Sequence, residues 1–267
     1  MPTASGPPAS TVSKHSPETE PMNPMRLHSL LCLTSAVALG LCGSSLLAQS
    51  NPGFVLGERS LQLAIPDLDP SGLARSQTVS GLETGLVYDL TVRLVIEGAA
   101  FGAFNGDYYA YLRHDTPEGR ESMLAVLLNR VGRTTDSPSG YSDSGFRVSL
   151  SDQASWDIHR YQVALGGSIE GALTGAWQPD GRRVDPNVSL DTSPRTAPLE
   201  PLGSLDPNGA WTLFVADLEA GGTGRLVEWE VRGVPRAIIP EPRGMLLLLL
   251  GGLGLGAVSW LRRPSDR

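Results

Sequence analysis

The stretch "AWTLFVADLEAGGTGRLVEWEVRG", residues 210–233, decides the fold. Its first half sets Trp211, Leu213 and Val215 on one side against Thr212 and Phe214 on the other. Its second half sets Val227, Trp229 and Val231 against Glu228 and Glu230. A side-chain period of two sends alternate residues to opposite faces, the pattern of a strand with one dry and one wet face. Between the halves, "EAGGTG" (219–224) reads as a turn, because glycine reaches backbone angles that side chains forbid.

The same period recurs upstream. "DLTVRLVIEG" (89–98) gathers Leu90, Val92, Leu94 and Ile96 on one face, with Thr91 and Arg93 opposite. "GFRVSLSD" (145–152) alternates Phe146, Val148 and Leu150 with Arg147 and Ser149. "SMLAVLLNRV" (122–131) fits a buried strand or a short helix, and its length and β-rich setting favour a strand. Turn clusters separate these runs: "AFNGDYY" (103–109), "HDTPEG" (114–119), "TTDSPSG" (134–140) and "DPNG" (206–209). Residues 175–207, rich in Pro, Asp and Arg and without period, read as a long surface loop. No internal repeat points to a propeller or solenoid. The expected fold class is all-β, a jelly-roll-like antiparallel β-sandwich of about eight strands over residues 51–235.

Both ends carry addresses. "MNPMRLHSLLCLTSAVALGLCGSSLLAQS" (22–50) has Arg26 and His28, an apolar run from Leu30 to Leu41, and small residues ending at Ala48. That layout predicts a signal peptide over 22–48, cut by signal peptidase after Ala48. A start at Met22 or Met25 makes polar residues 1–21 a non-native or disordered N-terminal extension; a long n-region is the alternative. The apolar run is shorter than the roughly 20 residues a bilayer span wants. At the other end, Met245–Leu261 is uncharged and bounded by Arg243 and Arg262-Arg263. At about 1.5 Å per residue it covers roughly 25 Å, so it predicts a single C-terminal transmembrane helix (245–261) whose flanking arginines snorkel. Arginines beyond the span favour a cytoplasmic C-terminus, which places the middle of the chain outside.

Composition narrows the classes. The chain has 267 residues and two cysteines, Cys32 and Cys42, both in the signal segment. The domain between the addresses then has neither disulfide nor Cys-based metal site, and its roughly 180 residues suffice for a core without staples. Between Gln49 and Glu241 stand 15 Arg, no Lys and 25 Asp or Glu, a net charge of about −10 with His neutral. An acidic surface repels phosphate backbones, so nucleic acid is not an expected partner. Ca²⁺ or simple solubility is compatible with it.

Pro240, Glu241 and Pro242, the span, and Arg262-Arg263 together resemble the PEP-CTERM sorting signal of Gram-negative bacteria, over residues 240–267. Arg243 departs from the small or polar residue usual there. The resemblance implies an exosortase as processing partner. The protein is then anchored in the inner membrane through its C-terminal helix and afterwards delivered to the cell surface or extracellular matrix, often alongside exopolysaccharide.

A second resemblance covers residues 87–233. The order "YDLTVRLVIEG", "YYAYLRHDTPEGRESMLAVLLNRVG", "DSGFRVSLSDQA", "LTGAWQPDG" and "LDPNGAWTLFVADLEAGGTGRLVEWEVRG" is similar to the P domain (P/Homo B domain) of proprotein convertases and bacterial subtilisin-like proteases. The Asn-Gly before Trp211, the Asp six residues after it, Gly-Thr-Gly and the late Trp229 carry the match, while "AAFGAFNGDYY" (99–109) is longer than the family's usual turn. The family implies a non-catalytic sandwich that stabilises a neighbouring subtilisin domain. Such a domain takes roughly 250–300 residues and an Asp, His and Ser from separate motifs, which this chain has no room for.

His114 and His159 are the histidines beyond the signal segment, and no G-x-S-x-G accompanies them. "DSG" (143–145) is a common turn. No catalytic residue is therefore expected, and each His is read as exposed or hydrogen-bonded. In "PDLDPSG" (66–72), Asp67, Asp69 and Ser71 open like an EF-hand loop, but Thr78 stands where the bidentate Glu belongs, so a turn is favoured. Some family members bind structural Ca²⁺ through loop carboxylates and backbone carbonyls; Asp143, Asp152, Asp217 and Glu219, acidic residues near strand ends in this part of the chain, are the candidate ligands, against solvated loop ends. No cofactor is required. Trp211 and Trp229 should be core. Trp156, Trp177, Tyr108, Tyr109 and Tyr141 either cap the sandwich or form an exposed carbohydrate-binding platform. The functional expectation is an exported, cell-surface-sorted, non-catalytic protein with a structural or interaction role. The alternatives are an accessory domain of a subtilisin-like serine endopeptidase system encoded elsewhere, or a carbohydrate-binding module.

Overall fold

A computed structural model describes residues 53–98 and 102–236. The signal segment with Ala48, the sorting motif Pro240–Glu241–Pro242, the span 245–261 and Arg262 and Arg263 lie outside the described residues. Among the described residues, no helix is long and apolar enough to cross a membrane.

Among the described residues ten strands form: β1 (Phe54–Glu58), β2 (Leu63–Ala64), β3 (Asp69–Val79), β4 (Tyr88–Gly98), β5 (Tyr108–Asp115), β6 (Ser122–Asn129), β7 (Phe146–Leu150), β8 (Leu173–Trp177), β9 (Gly209–Asp217) and β10 (Gly224–Pro235). Two short α-helices, α1 (Tyr161–Leu165) and α2 (Glu200–Gly203), and three single 3-10 turns accompany them among the described residues. One sheet runs β1-β10-β4-β7-β8, with β2 also on β10; the other runs β3-β9-β5-β6. The described region is thus a β-sandwich. Pairing is antiparallel except between β7 and β8, which are parallel. The chain returns from β7 to β8 through α1, a connection long enough for the parallel crossover that an all-antiparallel expectation left out.

The core follows the period of two. Leu90, Val92, Leu94 and Ile96 of β4, Phe146, Val148 and Leu150 of β7, and Trp211, Leu213 and Val215 of β9 are all buried. Each such side chain contributes about 1.5–3 kcal/mol by leaving water. In β10 the expected phase breaks at Val227. A bulge between Leu226 and Glu228 lets Leu226 pair with Ile96 and Trp229 with Leu94, so Leu226, not Val227, joins Trp229 and Val231 in the core. One extra residue in a strand shifts every later side chain by one face, and an uninterrupted period misses it. Residues 122–129 are a strand, β6, with a second register shift against β5 between Ala110 and Tyr111.

Residues 175–207 are not simply a surface loop. Their first three residues complete β8, α2 lies inside them, and the stretch between straps the free edge of β6. Asp180 N donates to Leu127 O (3.0 Å), Gly181 N to Val126 O (2.9 Å) and Val126 N to Ala197 O (3.0 Å). Covering an edge strand in this way satisfies backbone groups that would otherwise face water or another chain.

Candidate functional site

Both histidines of the described region are fully buried and hydrogen-bonded. His114 in β5 stacks on Trp211 (3.9 Å between centroids, 12° between planes). Its Nδ1 lies 3.3 Å from Ala210 O and its Nε2 2.7 Å from Asp206 O. His159 places Nδ1 2.7 Å from Asp180 Oδ2 and Nε2 3.1 Å from Arg133 O. The carboxylate–imidazole half of a hydrolytic triad is therefore present, but the outward nitrogen meets a backbone carbonyl where a nucleophilic hydroxyl would stand. Arg182 completes this buried network, with Nη1 3.2 Å from Asp180 Oδ1 and Nη2 2.8 Å from Asp157 Oδ2.

The four acidic candidates go to different surroundings. Asp143 is buried and saturated: its Oδ2 accepts from Tyr161 Oη (2.6 Å) and Gln162 Nε2 (2.7 Å), its Oδ1 from Ile169 N (3.0 Å). Asp152 accepts from Glu200 N (2.6 Å) at the start of α2. Asp217 and Glu219 stay close together at the end of β9. Among the described residues, no group of three or more His, Cys, Asp or Glu is placed to hold a metal ion, and these four are not brought together as one group.

What does assemble is an acidic cleft at that end of the sandwich. A single 3-10 turn, Asn105–Asp107, leads into β5. It is pressed onto residues 139–143 by backbone bonds from Asn105 N to Asp143 O and from Gly106 N to Tyr141 O, both 2.8 Å. Phe104, Asp107, Tyr141 and Glu219 line a cleft of about 330 Å³. Tyr141 is fixed edge-on against Tyr161 (4.7 Å). Its ring also lies against Gly132 (φ +83°), where a Cβ would strike it and a left-handed backbone would strain any other residue. Glu219 is about half exposed at the mouth and pairs with Arg130 Nη2 at 2.6 Å. Arg130, buried, holds a left-handed backbone (φ 52°) and donates from Nε to Gly106 O (3.1 Å).

Asp107 is 5% exposed, and its carboxyl takes no hydrogen bond among the described residues. Burial pushes it up to about 6; Arg130 opposes this, while Glu219 and Asp67 add to it. Behind it, Asp217 is fully buried opposite Tyr108 of β5, and the equally buried Tyr108 hydroxyl acts on it as a donor. Burial pushes Asp217 up to about 7; the Glu219 backbone N–H and the Tyr108 hydroxyl pull down, and the negative charges of Asp107 and Asp67 add. An unpaired carboxylate in a dry site is costly, so this end of the domain is poised to accept a positive charge.

The five aromatics do not form one platform. Tyr108 and Trp177 are buried, Trp156 stands exposed beside α1, and Tyr141 lines the acidic cleft. Tyr109 instead joins Tyr111 and Phe214, which stack at 4.8 Å on the outer face of the four-stranded sheet. Beside them runs an open groove of about 540 Å³ that includes Arg113, Met123 and Arg183. Sequence reasoning flagged Asp217 and Glu219 but passed over Asp107, Phe104 and Arg130. The "FNGD" turn, an Asp next to Asn-Gly ahead of a strand, was the available signal.

No family model matches the chain. No curated protein matches it. Among solved structures it is similar to the Aeromonas sobria serine protease in complex with its chaperone, at 15% identity over 70% of this chain and 26% of that one, TM-score 0.31. It is similar also to the serine protease of Aeromonas sobria, at 14% identity over 69% of this chain and 26% of that one, TM-score 0.32. The chain spans about a quarter of the length of each. A likeness at that level identifies no activity.

Proposed function

We propose that the chain is exported, sorted to the cell surface, and works there by binding, as a P/Homo B-like jelly-roll sandwich with a structural or interaction role in the envelope or extracellular matrix. The observation that carries the non-catalytic part is the state of the two imidazoles. Every ring nitrogen of His114 and His159 faces a backbone carbonyl or the Asp180 carboxylate inside the fold. Export and sorting are supported by the signal-peptide layout and by Pro240–Glu241–Pro242 ahead of an apolar run and two arginines. Signal peptidase and an exosortase are the processing partners this layout calls for. A separate protease or an exopolysaccharide is the candidate partner of the mature domain.

Sorting is tested by replacing Pro240, Glu241 and Pro242 together with alanine in cells that carry an exosortase. The wild-type chain is expected at the surface and accessible to added protease, and the variant held in the inner membrane. Equal surface display of both would overturn the sorting assignment.

A further inference from the structure

We propose that the cleft formed by Phe104, Asp107, Tyr141 and Glu219 is a binding site for the guanidinium group of an arginine side chain presented by a partner polypeptide. This deepens the binding role proposed above and rests on it.

Charge argues for a cation. Asp107, Asp217, Glu219 and Asp67 act on one another here, and the cations they face are Arg130 and, more remotely, Arg133. Arg130 faces Glu219 as an ion pair through Nη2 and donates from Nε to Gly106 O, and Arg133 donates to Pro186 O. That leaves Asp107, nineteen-twentieths buried and lining the cleft, with no hydrogen-bond partner among the described residues. A planar, weakly hydrated guanidinium can give such a carboxylate two parallel N–H bonds.

Shape argues against a bare metal ion. Ca²⁺ needs six to eight oxygens, and no three acidic or His side chains among the described residues are placed for one. The walls are instead aromatic, with Phe104 over a third exposed and Tyr141 half-buried. Ring faces attract a guanidinium through the quadrupole and pack against its methylenes. The cleft volume, about 330 Å³, lies at the low end of the range of roughly 300–1,000 Å³ for ligand pockets and suits one side chain.

Calorimetric titration of the full-length chain in mild detergent at pH 8 tests this, with N-acetyl-arginine amide as probe and N-acetyl-glutamine amide and CaCl₂ as controls. The expected result is saturable arginine binding with a Kd on the order of 1 mM and no saturable binding of the glutamine control. Asp107→Asn is expected to weaken binding at least about tenfold, the loss of a charge-assisted pair, without lowering the thermal midpoint, since it removes a buried charge. Glu219→Gln, at a half-exposed position, should weaken it several-fold. Affinity should also fall as pH drops from 8 to 5 and Asp107 takes up its proton. Equal binding of the glutamine control, undiminished binding by both variants, or saturation by CaCl₂ alone would overturn the proposal. A failure here leaves sorting and the absence of turnover as they stand, because each has its own readout.

Discussion

Replacing Arg182 by methionine is expected to lower the unfolding free energy by about 3–5 kcal/mol, the usual loss when one member of a buried ion-pair network is removed. Arg182 is 2% exposed and sits between two carboxylates, Asp180 at 3.2 Å and Asp157 at 2.8 Å, while Nη2 also donates to Asp191 O at 2.9 Å. Asp180 is fully buried and bonded to His159. Methionine fills the space but leaves Asp180 charged in a dry site, with His159 and the backbone N–H groups of Asn129 (3.2 Å) and residue 182 (3.3 Å) as its remaining donors. The network also ties the 178–199 strap to β6, so the loss should free that edge. Urea denaturation reads the energy, and amide exchange at Val126 and Gly181 reads the edge. Adding Asp180→Asn to Arg182→Met should restore part of the loss, because the uncompensated charge is then gone. A single substitution costing less than about 1 kcal/mol would mean the strap is not held this way.

Asp217→Asn should act in the opposite direction and depend on pH. The folded-state carboxyl is held up near 7, against 3.8 for the ordinary group. Between those values the folded chain keeps a proton that the unfolded chain has released. Stability therefore falls as pH rises through the window and is fully reduced above 7. A shift of about three units corresponds to roughly 4 kcal/mol at about 1.4 kcal/mol per unit, shared with Asp107 because the two carboxyls act on each other. Asparagine is neutral throughout and can still accept from Glu219 N, which lies 3.4 Å from Oδ1. The variant is expected to match wild type within about 1 kcal/mol near pH 4 and to exceed it by about 3–4 kcal/mol at pH 8, measured from urea midpoints. A wild-type curve flat between pH 4 and 8, or no gain at pH 8, would show that Asp217 is not a strained acid.

These two sites also mark where sequence periodicity stops being informative. The dry faces of β4, β7 and β9 were legible because burial on one side of a pleated strand imposes its own period. The bulge at Val227 was not, since an added residue leaves no compositional trace while reversing the inward set to Leu226 and Trp229. The strap misled because Asp180 and Arg182 look like solvent-facing loop charges. They are buried only because Asp157 and His159, from a distant part of the chain, arrive beside them. The acidic cleft was half legible. Asp217 and Glu219 stood out at a strand end, but grouping them with Asp143 and Asp152 followed sequence type, whereas the fold gives Asp143 to Tyr161 and brings Asp107 up instead. Which carboxylates meet is set by strand order and register, β5 beside β9 here, and a single sequence does not encode that locally.

The proposed role has this sandwich act by binding and not by catalysis. Its most direct test is turnover of a panel of peptides and activated esters by the full-length chain, alongside His114→Gln and His159→Gln. The expected result is hydrolysis at the buffer rate for all three proteins. Turnover by the wild type that either substitution abolishes would contradict the claim.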